Sequence, residues 1–417
     1  AYVEEFEPAR IAVGRDMRTM GESMQAALTR GAVDGGAEVL DIGLVGTEML
    51  YFAVGSLELD GGICCTASHN PKEYTGMKVV RRGALPVGGD SGLAEVRDRA
   101  LRGFEAPAKQ GSATPYDIWP AFVERVLSFV DVDAIKPLRV VVDAANGMGG
   151  RMLEPVLERL PQLDVVRCYF EPDGTFPNHE PNPLLPENRE FIVGKVTEEG
   201  AELGIAFDGD ADRCFFVDDT GEFVPGDFVT ALLAESILER EPGAKILYDV
   251  RASWAVPRTV EAAGGIPLIN RVGHAFIKHR MREEGAAFGG EVSGHYYFRD
   301  FSQADTGIVP ALLVLELLSK RGKKLSQLLE PYRSRYFITG EINSRVDDVP
   351  LKLLELKERF GREGRVSHLD GLSVEFDDWH FNVRPSNTEP LLRLNLEALS
   401  QEDMERRRDE VLGVIRS

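Results

Sequence analysis

The sequence predicts an α/β protein: three sibling α/β domains with mixed sheets, then a smaller C-terminal α+β domain. Three observations carry that prediction. First, a basic residue, a short apolar run and an aspartate recur as Arg10-Ile11-Ala12-Val13-Gly14-Arg15-Asp16, Arg139-Val140-Val141-Val142-Asp143 and Lys245-Ile246-Leu247-Tyr248-Asp249. Second, each is followed by a helix-like stretch and another apolar run, at residues 38–42, 164–168 and 266–269. Third, a further apolar run in each unit ends in that unit's most unusual loop. Strands alternating with helical patterns indicate βαβ units. The repeat is too long for a solenoid, so sibling domains fit better than an array.

The rest of the chain follows a different pattern. It opens with a strand-like Tyr336-Phe337-Ile338-Thr339 and continues with a charged helix over 351–362. The alternating strand Leu392-Arg393-Leu394-Asn395-Leu396 and a second charged helix close it. Residues 107–115, rich in Pro, Gly and Ser, read as a linker. Further boundaries are expected near Gly221 and at Pro331-Tyr332-Arg333. The predicted domains are 1–113, 114–220, 221–334 and 335–417.

Composition bounds the function. A chain of 417 residues exceeds one ordinary core, and two to four domains are expected. Hydrophobic content of 43% and charged content of 28% suit a soluble globular protein. The net charge of −20 argues against nucleic-acid and anionic-membrane partners. An anionic substrate would need basic residues gathered at one place. Cys64, Cys65, Cys168 and Cys214 show no metal-site spacing, and reduced cytoplasmic thiols are the simplest account. The most apolar stretch, 308–318, is broken by Pro310 and Glu316 and reads as a core helix rather than a membrane span.

Each unusual loop has its own chemistry. Ser68 stands in Thr66-Ala67-Ser68-His69-Asn70-Pro71, after the apolar run Gly61-Gly62-Ile63-Cys64-Cys65. A serine needs a positioned neighbour to become a nucleophile. His69 follows it directly, and Asn-Pro turns the chain just beyond. The carboxyl end of a strand is where ligands bind in open α/β sheets. A lone Ser-His, however, is usually an ordinary polar turn.

Asp208, Asp210 and Asp212 alternate in the second loop, and an extended backbone would point them one way. Two carboxylates about 4 Å apart repel by roughly 4 kcal/mol at an effective dielectric near 20. A hard divalent cation, Mg²⁺ first, relieves that repulsion. An EF-hand is excluded because Arg213 stands where its sixth residue must be Gly. A solvated acidic turn is the plainer alternative.

Arg384-Pro385-Ser386-Asn387-Thr388-Glu389-Pro390 offers a guanidinium fork, short polar side chains and turn amides, a set suited to phosphate oxygens. Glu291, Ser293 and His295, bounded by glycines, suit vicinal sugar hydroxyls. Lys278, downstream of Gly273-His274, is a candidate phosphate contact. Lys78, ten residues after Ser68, becomes a general acid or base if its pKa is tuned. Each of these segments also has an ordinary reading as a polar turn or a surface lysine.

Taken together and in order, the four loops resemble those of the α-D-phosphohexomutase family, and within it the bacterial phosphomannomutase/phosphoglucomutase group. Residues 66–71 match its phosphoserine loop, 208–213 its metal loop, 290–295 its sugar-binding loop and 384–390 its phosphate-binding loop. The resemblance implies four domains around a central cleft. It implies hexose phosphates as substrates, interconverted between the 1- and 6-phosphates. Glucose 1,6-bisphosphate or mannose 1,6-bisphosphate would be the intermediate and activator. Ser68 would carry the phosphate, and Mg²⁺ would bridge it to Asp208, Asp210 and Asp212. Lys78 would be the general acid/base and Arg213 a helper at the transferring phosphate. Glu291 and Ser293 would hold sugar hydroxyls. Arg384, Ser386, Asn387 and Thr388 would hold the other phosphate, with Lys278 and His295 as auxiliaries. The nearest rivals are a phosphoglucosamine mutase and a phosphosugar-binding protein with impaired catalysis. A monomer and a homodimer are both compatible with the sequence. The family's opening strand carries an active-site arginine. This chain opens on Ala1-Tyr2-Val3-Glu4-Glu5-Phe6, which reads as the tail of a helix, so no counterpart is assigned.

Overall fold

A computed structural model describes residues 1–103, 110–386 and 390–417. The chain divides into two compact units. One comprises residues 1–224, 278–288 and 293–326, and the other 225–277, 289–292 and 327–417.

In the first unit the opening helix α1 (Tyr2–Phe6) leads into a mixed six-stranded sheet. Its strands are β1 (Arg10–Arg15), β2 (Glu38–Leu44), β3 (Gly61–Cys65), β4 (Met77–Arg81), β5 (Leu85–Pro86) and β6 (Ser112–Pro115), in the order β5-β4-β3-β1-β2-β6. Strand β1 runs parallel to both β2 and β3, whereas β3 and β4 form an antiparallel pair. Ile11, Ala12 and Val13 are wholly buried, as an apolar run between two neighbours should be. Helices α2 (Gly21–Asp34) and α3 (Thr47–Ser56) make the connections. The expected linker is in part a strand: residues 112–115 pair in parallel with β2 as β6. That edge position accepts Pro115, which has no N–H to donate. Residues 107–109 of the expected linker lie outside the described residues.

The second sheet repeats the plan with β7 (Arg139–Asp143), β8 (Asp164–Cys168), β9 (Leu203–Phe207), β10 (Cys214–Asp218) and β11 (Phe223–Val224), in the order β11-β10-β9-β7-β8. Again the first strand is parallel to the next two, and the third turns back antiparallel. In both sheets the unusual loop is that reversal. Ser68 lies between β3 and β4, and Asp208 to Arg213 lie between β9 and β10. Two paired strands therefore anchor each loop at both ends.

The third segment contributes to both units. In the second unit β12 (Lys245–Asp249) is parallel to β13 (Ile266–Asn270). The chain then passes through β14 (Phe288–Gly290). In the first unit β15 (Tyr296–Phe298) pairs antiparallel with β16 (Ala304–Asp305). The apolar stretch at 308 is a buried helix, Ile308–Arg321, with Pro310 in its first turn, where no helical N–H is lost. Among the described residues no helix is long and apolar enough to cross a membrane. The expected boundary at Pro331 falls inside a helix, Leu325–Arg333.

The last sheet contains β17 (Phe337–Ile338), β18 (Ile342–Arg345), β19 (Arg365–Ser367), β20 (Leu372–Glu375), β21 (Trp379–Pro385) and β22 (Leu391–Ala398), and its pairs are antiparallel. Leu394, Leu396, Phe381 and Val374 alternate inward and meet Leu356, Phe360, Met404, Val411 and Ile415 of two helices. Each fully buried side chain of this size contributes about 1.5–3 kcal/mol. Asp348 and Ser400 cap those helices by accepting the amides of Leu351 and Asp403.

Candidate active site

The Ser68 loop is closed by reciprocal backbone hydrogen bonds of 3.0 and 3.1 Å between Thr66 and Gly76. Inside it the Ser68 amide donates to Thr66 Oγ1 at 2.9 Å. Ser68 sits at φ +49°, a left-handed conformation that costs a non-glycine residue about 1–3 kcal/mol and persists only where surroundings hold it. The serine is 9% exposed. Its Oγ donates to Asp208 Oδ2 at 2.8 Å and lies 3.2 Å from His69 Nδ1. Burial, then the nearby Arg213 charge, pushes the His69 pKa down to about 4, so its ring is neutral near pH 7.

The three aspartates meet, but not through an extended backbone. The chain turns at Gly209 and Asp210, and Ala211 takes φ +61°. This turn brings one carboxylate oxygen of each aspartate within 4.8 Å of the others. All three side chains are essentially buried. A solvated acidic turn is therefore excluded. Asp208 Oδ1 accepts the Arg213 amide at 3.2 Å. Asp210 Oδ2 accepts Thr66 Oγ1 at 3.2 Å and Lys78 Nζ at 2.9 Å, and it also accepts Thr47 Oγ1. Asp210 Oδ1 and Asp212 Oδ1 are buried without a hydrogen-bond partner. Two unpartnered carboxylate oxygens beside a third buried carboxylate fit a hard divalent cation. Burial and the neighbouring Asp212 and Asp210 charges push the Asp208 pKa well up. Burial opposes ionisation of Asp212 too, but Lys78 and Arg213 hold its pKa low.

Lys78 completes the cluster by pairing with Asp210 and Asp212. Burial works against its charge, but the two aspartates prevail and hold its pKa well above the usual lysine value. The group is thus an ammonium, able to give a proton before it can take one. Arg213 Nε donates to His295 Nε2 at 3.1 Å, and His295 Nδ1 lies 3.1 Å from Ser293 Oγ. The first unit therefore brings together Ser68, His69, Lys78, the three aspartates, Arg213, Ser293 and His295.

Lys278, the candidate phosphate contact, is buried and paired. Its side chain is 1% exposed, and its ammonium lies 2.7 Å from Asp305 and 3.8 Å over the Tyr51 ring. An inward-facing helix position buries the lysine, and Asp305 neutralises it. Sequence reading missed Thr47 and Arg18. Arg18 sits just beyond β1 and donates to four carbonyls of the Ser68 loop. The only sequence signal for these residues is their place after β1 and β2, on the sheet ends where ligands bind.

In the second unit Glu291 is 2% exposed and accepts the Gly273 amide at 2.9 Å. Arg251 makes a two-pronged bond to Asp249 at 2.9 and 2.8 Å, and Asp249 accepts the Val292 amide at 3.1 Å. That pair fixes the loop carrying Glu291. Arg384 lies on β21 rather than in a loop, directly across from Arg393 on β22. Like charges so placed repel. Glu341 bridges them, at 3.2 Å from Arg384 and 3.3 Å from Arg393. Arg393 also reaches Ser386 Oγ at 3.4 Å. Two guanidinium groups and a hydroxyl are thus gathered at one place around the Glu341 carboxylate. Asn387 and Thr388 lie outside the described residues. Arg251, Glu341 and Arg393 were missed because no local motif marks them. Cross-strand register brings Arg393 to Arg384.

Residues 1–103, 120–221 and 225–336 match the models of phosphoglucomutase/phosphomannomutase alpha/beta/alpha domains I, II and III, and residues 341–414 match that of the C-terminal domain. A phosphomannomutase of Salmonella montevideo is 44% identical, over 100% of this chain and 93% of its own. One of Escherichia coli K12 is 44% identical, over 95% of this chain and 89% of its own. A crystal structure of a phosphoglucomutase/phosphomannomutase family protein from Burkholderia thailandensis superposes with a TM-score of 0.85 at 34% identity. It covers 97% of this chain and 88% of its own.

Proposed function

The chain belongs to the phosphoglucomutase/phosphomannomutase family, and on that premise we propose that it interconverts hexose 1-phosphate and hexose 6-phosphate through phosphorylated Ser68 and a bound 1,6-bisphosphate. The observation that carries this reading is the hydrogen bond from Ser68 Oγ to Asp208, within a buried set of three carboxylates flanked by Lys78 and Arg213. Mutase relatives at 44% identity, with Ser68 and the three aspartates brought together, favour an enzyme over a non-catalytic sugar-phosphate binder.

Phosphoryl transfer demands positioning and charge neutralisation more than covalent chemistry. The bond between phosphorus and Ser68 Oγ breaks, and one forms to the free sugar hydroxyl. Lys78, held charged, gives its proton to the departing Oγ and then takes the proton of the hydroxyl. Arg213, beside Asp208 and His295, faces the charge that develops on the phosphoryl oxygens. Asp208, Asp210 and Asp212 would hold Mg²⁺ together with the serine's phosphate. The ion, when bound, supplies positive charge to the transferring group. Return transfer of the other phosphate to Ser68 completes the cycle.

Glu291 and Ser293 are assigned to the sugar hydroxyls, and Arg384 and Ser386 to the phosphate that is not reacting. Mannose phosphates are the first substrates to test, because the named relatives are phosphomannomutases. Intact-mass analysis should show a native species one phosphate heavier, mapped to Ser68. Ser68→Ala should abolish turnover of mannose 1-phosphate while leaving the fold intact. Near-normal turnover of that variant with glucose 1,6-bisphosphate present would overturn the assignment.

A further inference from the structure

Arg18 is 2% exposed, and its guanidinium is surrounded by one loop. Nη2 donates to the carbonyls of Ser68 at 2.7 Å and Asn70 at 2.6 Å. Nη1 donates to those of Pro71 at 2.7 Å and Tyr74 at 2.9 Å. The four protons of the two terminal nitrogens thus have four acceptors, all within the segment that carries the phosphoacceptor serine. On its far side the guanidinium lies 5.1 Å over the Phe176 ring. The arginine's own backbone is held as well, since its amide donates to Asp16 Oδ1 at 3.0 Å, and the Asp16 amide donates to Cys65 O at 2.9 Å. The arrangement therefore runs from the end of β3, through Asp16 and Arg18, back to the loop that follows β3.

The chemistry explains why an arginine is used. Carbonyls turned into the interior need donors, and of these four the Pro71 carbonyl also accepts the Tyr74 amide of its own loop, at 3.0 Å. A planar guanidinium presents several N–H groups in a fixed fork, whereas an ammonium has three donors on a flexible stem. A backbone wrapped around such a fork cannot slide or turn without breaking several bonds at once. Ser68 is the residue of this loop held at φ +49° while its Oγ is aimed at Asp208.

We propose that Arg18 is the positioning residue of the phosphoacceptor loop. It holds Ser68 in its left-handed backbone conformation, and through that backbone sets the direction of Oγ for each phosphoryl transfer without touching the sugar. This rests on the phosphoserine reading above. Arg18 takes no proton and contributes nothing to sugar recognition. Its removal should therefore slow transfer to and from Ser68 and leave substrate affinity nearly unchanged.

The test uses the full chain with Arg18→Ala and Arg18→Lys. The rate at which radiolabelled glucose 1,6-bisphosphate phosphorylates Ser68 is measured, together with kcat and KM on mannose 1-phosphate. A displacement of about 1 Å costs about 100-fold in rate, so labelling and kcat should fall together by about that factor. KM should stay within roughly threefold, as expected when an interaction acts in the transition state alone. Added guanidinium ion, far below denaturing concentrations, should restore part of the Arg18→Ala loss and leave the unsubstituted enzyme unchanged. Arg18→Lys keeps the charge and most of the buried volume, and it decides the matter if Arg18→Ala does not fold. Labelling and kcat near those of the unsubstituted enzyme, or a loss confined to KM, would overturn the proposal. An unsubstituted enzyme that never labels at Ser68 would instead remove the phosphoserine premise, and this proposal with it.

Discussion

Gly209 and Ser68 meet backbone to backbone: a β-carbon added at Gly209 would lie 2.3 Å from the Ser68 carbonyl oxygen. The two loops at the reversals of the first and second sheets are therefore in direct contact, with no room for a side chain between them. Gly209→Ala must push one of them away. Overpacking of this kind costs about 1–3 kcal/mol. It should also move Ser68 from Asp208 and lower kcat by about 100-fold. Denaturant unfolding and steady-state kinetics on one preparation check both effects. Unchanged kinetics would mean that the contact does not position the serine.

Thr47 tests the carboxylate cluster from its buried side. Its hydroxyl donates to Asp210 Oδ2, the oxygen that also accepts Thr66 and Lys78, while Oδ1 remains without a partner. These bonds leave Oδ1 as the oxygen available to a cation. Thr47→Val keeps the shape and removes the donor. Outer-shell losses of this kind weaken metal affinity by about 10- to 100-fold. Mg²⁺ titration of the EDTA-treated protein should show that weakening, and the unsubstituted enzyme should regain turnover on adding Mg²⁺. Equal affinities in the two proteins would place the ion away from Asp210.

The His179–Asp143 pair predicts a pH effect outside the cluster. His179 Nε2 lies 3.0 Å from Asp143 Oδ2. Burial works against the imidazolium, but the Asp143 hydrogen bond and charge outweigh it and raise the His179 pKa above 6.5. A folded-state pKa raised in this way stabilises the fold fully below pH 6.5, and that stabilisation is lost as pH rises through the folded value. In Asp143→Asn burial is opposed only by the hydrogen bond to the Glu180 carbonyl at 2.9 Å, and the His179 pKa should fall. An NMR titration of the ring, with thermal unfolding on both sides of neutrality, checks the sign. A His179 pKa that Asp143→Asn leaves unchanged would show that the carboxylate does not set it.

Much of this protein is legible from local pattern. Apolar runs such as Val140-Val141-Val142 mark buried strands because their neighbours on both sides exclude water. The Ser68 and Asp208–Arg213 segments stand out because their residue types are costly to bury unless partnered. The register of the aspartates was misread. Alternation suggested an extended loop, but the turn at Gly209 and the left-handed Ala211 make the carboxylates converge. The burial of Lys278 is not legible in the same way, because one helical turn of sequence does not reveal which face the fold buries.

The sequence by itself determined the strand and helix pattern, the sibling plan of the first two sheets and the chemical character of each loop. Those properties depend on neighbours along the chain, through φ/ψ preference, side-chain period and turn chemistry. Tertiary structure alone decided which distant groups meet. Arg18 lies 50 residues from Ser68, and Thr47 lies 163 residues from Asp210. Arg393 faces Arg384 only by cross-strand register, with Glu341 bridging the two charges. The physical reason is that a buried carbonyl, carboxylate or guanidinium must find a partner, but nothing in its own segment specifies which. The partner is whichever complementary group the packed sheets and helices bring within hydrogen-bonding distance.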